Sequence, residues 1–168
     1  EEYALVHPET LELVPRFEDL RDAGATDPTG ELGMVYVDFD VPQGTAEGIA
    51  RFYSEIMKSP ARASNGRASV SVGRSQALHF TETSKPLPEY DNHHIQVYVA
   101  DFASPYHWLK ERGLINMETD AEEWRFQWIS DPRDGKKLFQ IEHEVRSMKH
   151  RLFARPLVNR NHAVTNLN

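Results

Sequence analysis

The sequence contains no cysteine. That excludes disulfides, thiol nucleophiles, Cys-ligated zinc and iron–sulfur clusters, and it leaves the redox compartment open. No apolar run approaches the ~20 residues of a membrane-spanning helix, and no secretory signal stands at the front. A basic surplus is missing too: 19 Lys and Arg against 26 Asp and Glu give a net charge of -7. Proteins that grip a phosphate backbone carry a basic stripe or excess. Here the basic residues are scattered, apart from a modest cluster between Arg146 and Arg160. Neither nucleic acid nor a membrane is an expected partner. The nucleophile elbow, the glycine-rich phosphate loop and the dinucleotide fingerprint are all absent. Asp131-Pro132-Arg133-Asp134-Gly135 lacks the alternating acidic ligands and closing Glu of a calcium loop and reads as a turn.

What is present is a chain of 168 residues, 39% hydrophobic, enough to bury a core without a disulfide or structural metal. The first residue is Glu1 rather than Met, and the expectation is a natural N-terminus that was trimmed or lies upstream. Residues 1–32 read as a lead-in, with a short strand pattern at Thr10–Val14 and a Gly-rich, polar stretch from Asp22 to Gly33. Met34 to Val41 then alternates, with Val35, Val37, Phe39 and Val41 on one face and Tyr36, Asp38 and Asp40 on the other. Thr45 is placed to cap a helix that carries Ile49, Phe52, Tyr53, Ile56 and Met57 at helical spacing. Strands follow at Ala68–Val72 and Gln76–Thr81, and residues 60–67 offer a weaker one.

The order then repeats. Ser84 to Asn92, with Pro86 and Pro88, is a connector. His94 to Val99 alternates again, with Ile95, Val97 and Val99 opposite His94, Gln96 and Tyr98. A helix over Ser104–Arg112 has Pro105 in its first turn and Gly113 at its stop. Trp124–Ile129 and Lys137–Val145 are strands. Strand, helix, then two or three strands, twice over, is an internal repeat of roughly 60 residues. It predicts an α+β fold of two modules, over 33–84 and 85–146, followed by a tail over 147–168 in which Phe153, Leu157 and Val158 are candidate anchors.

The repeat resembles the vicinal oxygen chelate superfamily, which includes glyoxalase I, extradiol dioxygenases and the fosfomycin and bleomycin resistance proteins. In the second module the matching pieces are HHIQVYVADF, ERGL, DPRDG and LFQIEHEV. In the first they are GMVYVDFDVP, ARFYSEIM and ALHFTE. The resemblance implies two βαβββ modules forming curved antiparallel sheets around a pocket, and a homodimer; a cytoplasmic location is expected beside it, since the lack of cysteine fits a reducing cytosol. It also implies metal ligands from the first and last strand of each module, which fall here on Tyr36, His79, His94 and Gln140.

The departure from that family is the missing carboxylate at these four positions. Two imidazoles suit iron, zinc, nickel, cobalt or manganese, and the carboxylates nearest in sequence, Asp38 and Glu142, each lie two residues along, roughly 6.5–7 Å. Two expectations lead. One is a lyase, isomerase or dioxygenase with a divalent metal on His79, His94 and one of Glu142, Gln140 or Asp38. Asp38 or Glu142 would then move protons. Tyr36, Gln96, Tyr98 and Trp128 would hold a small oxygenated substrate. The other is a metal-free protein of the same fold that binds or sequesters a small, aromatic ligand. A module of a larger assembly is a third. Trp124, Phe126 and Trp128 alternate with Arg125, Gln127 and Ile129, and which face is core stays open. His93 is expected at a strand edge, His107 in solvent, and His143 and Glu144 solvated at a frayed strand end.

Overall fold

The structure, a computed structural model, describes residues 36–73 and 76–153. The expected lead-in strand, and Leu157 and Val158 of the tail, lie outside these residues. The first half forms β1 (Tyr36–Pro42), α1 (Ala46–Arg51), β2 (Ala61–Ser64), β3 (Arg67–Ser71) and β4 (Ala77–Thr83). The second forms β5 (His94–Val99), α2 (Ala103–Glu111), β6 (Ile115–Thr119), β7 (Glu123–Ser130) and β8 (Lys137–Ser147). Each half makes its own four-stranded sheet, ordered β1-β4-β3-β2 and β5-β8-β7-β6.

The α+β architecture of two βαβββ units is thus observed, with one refinement. Neighbours joined by short turns pair antiparallel. β5 runs parallel to β8, so the second sheet is mixed. A helix and two strands separate β5 from β8, and that excursion brings the chain back in the same direction. β6 was not legible as a strand: its Asn116, Met117, Glu118 and Thr119 are all exposed, so it has no buried face to leave an alternation.

The alternating apolar residues of both sheets and the inner faces of both helices share one core. Val41, Ile49, Phe52, Phe80, Leu109, Phe126, Ile129, Ile141 and Val145 are fully buried in it. α1 is held at both ends by partners distant in sequence. Thr45 occupies the cap position but its hydroxyl donates to the Pro42 carbonyl at 2.6 Å. The open N–H groups are met by Glu82 of β4, whose carboxylate accepts from Ala46 at 2.8 Å. Backbone donors from Ala46 and Gly44 hold the Glu82 carboxyl below its ordinary value. One turn on, Gly48 lies so close to sheet 2 that a Cβ there would sit 2.6 Å from Leu138 Cδ1 and 3.0 Å from Asp131 Oδ2. Close packing, not capping, accounts for a glycine there. After Arg51 the helix continues as a π-helical stretch, Phe52–Ile56.

Arg51 closes a two-point ion pair with Asp131 of the β7–β8 turn, Nε to Oδ1 at 3.2 Å and Nη2 to Oδ2 at 2.5 Å. The turn expected at residues 131–135 is therefore also an anchor for the first module's helix. Their side chains are 19% and 12% exposed, so the pair is mostly dry. Arg51→Met is expected to lower the unfolding free energy by about 3 kcal/mol, because it strands a partly buried carboxylate. Urea unfolding measures this, and a loss under about 1 kcal/mol would mark an ordinary surface pair.

Candidate functional site

The face of sheet 2 away from the core gathers most of the predicted site. In β5, Ile95, Val97 and Val99 pack on the core, which turns His94, Gln96 and Tyr98 to the other face. The parallel register sets His94 beside Glu142, Gln96 beside Glu144 and Tyr98 beside Arg146. Gln140 lies on the same face as Glu142, two residues earlier on β8. The carboxylate next to His94 is thus Glu142.

β7 supplies the floor, and here alternation alone misleads. Trp124 and Phe126 are core residues, 2% and 0% exposed. A bulge between Phe126 and Trp128 then shifts the register, so that Trp128 pairs with Gln140 rather than continuing the Trp124 face. Trp128 therefore joins Arg125 and Gln127 on the polar face, with Lys137 Nζ 4.9 Å above its ring.

Arg125 is the hub of this face. Its guanidinium reaches Glu123 at 2.9 Å, Glu142 at 3.0 Å and Glu144 at 2.6 Å. Arg146 bridges the outer pair, bonding Glu123 at 3.1 Å and meeting Glu144. Glu142 also accepts from Gln127 and Asn116, each at 3.2 Å. Burial alone would raise the Glu142 carboxyl, but the bonds from Gln127, Arg125 and Asn116 outweigh it and hold the group ionised below its ordinary value. Glu123 behaves likewise between the two arginines. Arg125 and Arg146 are the residues that sequence reasoning left without a role. The alternation of Arg125 with Trp124 and Phe126 was their only signal, and it left open which face was core.

The other predicted residues lie on sheet 1. Tyr36 opens β1 and is 48% exposed. Asp38 takes Arg67 Nη2 at 2.6 Å and the Thr81 hydroxyl at 2.7 Å. His79 Nδ1 lies 3.0 Å from Ser69 Oγ. Desolvation and the charge of Arg67 lower the His79 pKa below its ordinary value, against the opposing pull of Asp38.

Two expectations are corrected. His143 and Glu144 are not at a frayed end: they are 0% and 5% exposed, because β8 runs on to Ser147 between β5 and β7. His143 stacks on Phe126 at 4.2 Å and accepts the Tyr53 hydroxyl at 2.6 Å. His150 is 6% exposed. It lies beside Tyr98, where Phe153 of the tail also packs, 5.2 Å from the Tyr98 ring. His93 sits just before β5, bonded to Asp91, and His107 is exposed on α2.

Among the described residues no group of three or more His, Asp or Glu could hold a metal ion. The chemistry of the donors gives the reason. The two carboxylates that lie two residues along from Tyr36 and Gln140 are each committed to an arginine, Asp38 to Arg67 and Glu142 to Arg125. The donor set as folded does not fit a divalent metal.

No protein-family model matches the chain, and no curated protein matches it. Solved structures do. A possible glyoxalase from Bacillus cereus aligns with a TM-score of 0.50 at 13% identity, covering 69% of this chain and 99% of that one. Oxidase ChaP-H1 aligns at 0.47 and 21%, covering 69% and 97%. The fosfomycin resistance protein FosX from Mesorhizobium loti aligns at 0.44 and 15%, covering 68% and 92%. At these identities the likeness is one of fold. The chain has the two-module α+β fold seen in the possible glyoxalase from Bacillus cereus. Among the described residues no helix is long and apolar enough to cross a membrane.

Proposed function

We propose that the protein binds a small oxygenated, aromatic molecule on the polar face of sheet 2 by hydrogen bonding and stacking, without a metal. The observation that carries this is the state of Glu142: the carboxylate beside His94 is already taken by Arg125, Gln127 and Asn116. His94, Gln96 and Tyr98 then serve as hydrogen-bonding groups, and Trp128 offers an aromatic surface. The same reading carries a homodimer in the cytoplasm.

A second reading, the metal-dependent enzyme, is favoured by one observation, the register that sets His94 beside Glu142. It requires Glu142 to leave Arg125 and a further donor, His79 or Gln140, to join. Two measurements separate the readings. Protein purified without a His-tag or chelators is expected to carry no stoichiometric divalent metal. A metal present at one per chain, and lost in a His79→Ala/His94→Ala variant, overturns the first reading in favour of the second. Titration with simple phenols and aromatic carboxylates is expected to quench tryptophan fluorescence. That quenching should fall sharply in Trp128→Phe, and binding should weaken about tenfold in Gln96→Ala, the worth of one good polar contact.

A further inference from the structure

Sheet 1 holds a cluster of donors that the proposed function does not use. β2 and β3 pair so that Arg62 lies opposite Ser69, and Ser64 opposite Arg67. On the next strand, Ser69 lies opposite His79 and Arg67 opposite Thr81. Directly opposed residues in a sheet share a face. Arg62, Ser69 and His79 thus form one row, and Ser64, Arg67 and Thr81 the next. The alternate residues Ala68, Val70, Leu78 and Phe80 are buried on the opposite, core side.

The rows border an open groove of about 350 Å³ lined by Arg62, Ser64, Asn65, Arg67 and Ser69. Every lining side chain can donate a hydrogen bond, and none is a carboxylate. Asp38 engages only Nη2 of Arg67, at 2.6 Å. The Arg67 Nε is buried and has no hydrogen-bond partner. A buried donor left unmet is destabilising, and an incoming acceptor would satisfy it. Among the described residues no ion pair occupies Arg62. In a chain of net charge -7, two guanidinium groups beside two hydroxyls and an amide, with no lining carboxylate, make a local exception.

We infer that this groove binds a small oxyanion, a phosphate or carboxylate group, between Arg62 and Arg67, with Ser64, Asn65 and Ser69 as further donors. Guanidinium groups suit both through paired N–H bonds. Asp38 offsets part of the Arg67 charge, so the exposed Arg62 supplies the uncompensated one.

The test is titration of the full chain with inorganic phosphate and, separately, with acetate in low-chloride buffer, followed through the arginine Nε–H signals by NMR. Saturable movement of the Arg67 and Arg62 signals is expected, with binding weakened about tenfold in Arg62→Gln. Arg62 is exposed, so an unchanged amide spectrum confirms that this variant folds. Movement with phosphate alone assigns a phosphate-bearing ligand, and movement with acetate assigns a carboxylate. Arginine signals that stay fixed with both anions at about 50 mM, far above useful affinity, would overturn the inference. So would an Arg62→Gln variant that binds as tightly as the parent. His94→Ala is expected to leave anion binding unchanged, which keeps this result separate from that for sheet 2.

Discussion

Phe52→Ala is expected to lower the unfolding free energy by about 3–5 kcal/mol, the range for a large buried aromatic. Phe52 is fully buried at the point where α1 becomes π-helical. Its ring lies 5.6 Å from Tyr53, 6.2 Å from Trp108 of α2 and 5.6 Å from Phe126 of β7. It therefore joins the first module's helix to both a helix and a strand of the second. These neighbours are stiff rings on regular elements, so the space left by truncation closes poorly. Urea unfolding with an unchanged slope tests it. A loss below about 1.5 kcal/mol, the cost of a minor core trim, would show that the junction repacks freely.

The second large effect is a loss of stability in mild acid, centred on His143. Its Nδ1–H donates to the Ile141 carbonyl at 3.0 Å, which leaves Nε2 as acceptor for the Tyr53 hydroxyl at 2.6 Å. Burial pushes the Tyr53 phenol up, so it stays a donor. Protonating the ring would destroy the acceptor and place a charge in the core. Burial accordingly lowers the His143 pKa to about 4 from its ordinary 6.5. The sign follows from which state binds protons first. The unfolded chain takes up the proton as pH drops below 6.5, while the folded chain resists until about 4. The stabilisation is complete above 6.5 and is lost as pH falls through 4. At about 1.4 kcal/mol per pH unit, moving from pH 7 to pH 4.5 is expected to cost about 2–3 kcal/mol. The lowered carboxyls of Glu82 and Asp131 add to acid sensitivity only further down, below their ordinary values of 4.5 and 3.8. Unfolding free energies at the two pH values, for the wild type and for His143→Gln, provide the measurement. Equal pH slopes in the two proteins would sink this account.

Much of the architecture was legible because half-buried strands write a period of two. Val37, Phe39 and Val41 in β1, and Ile95, Val97 and Val99 in β5, announce their faces directly. The repeat of strand, helix and strands carried the fold. Legibility failed where the physics left no period or broke one. β6 has no buried face. In β7 the bulge after Phe126 turns Trp128 away from the Trp124 face, a step that no single-strand pattern encodes. At the site, alternation put His94, Gln96 and Tyr98 together. It could not foresee that Arg125 would claim Glu142, because that pairing depends on the register between β7 and β8. His143 was misjudged for a related reason. A charged, polar run near a strand end looks solvated until the neighbouring strands are known to extend alongside it.

The bonds that cross between the halves reach far along the chain: Arg51 to Asp131 spans 80 residues and Tyr53 to His143 spans 90. Both start from one turn of the first helix and end on the last hairpin. A chain written as two copies of one plan is thus not two units of stability. Cutting it at the connector after β4 would leave α1 with an unanswered guanidinium and a bare aromatic face, and leave β8 with a buried imidazole lacking its donor. The plan repeats, but cooperativity resides in the seam, so these halves are committed to folding, and to failing, together.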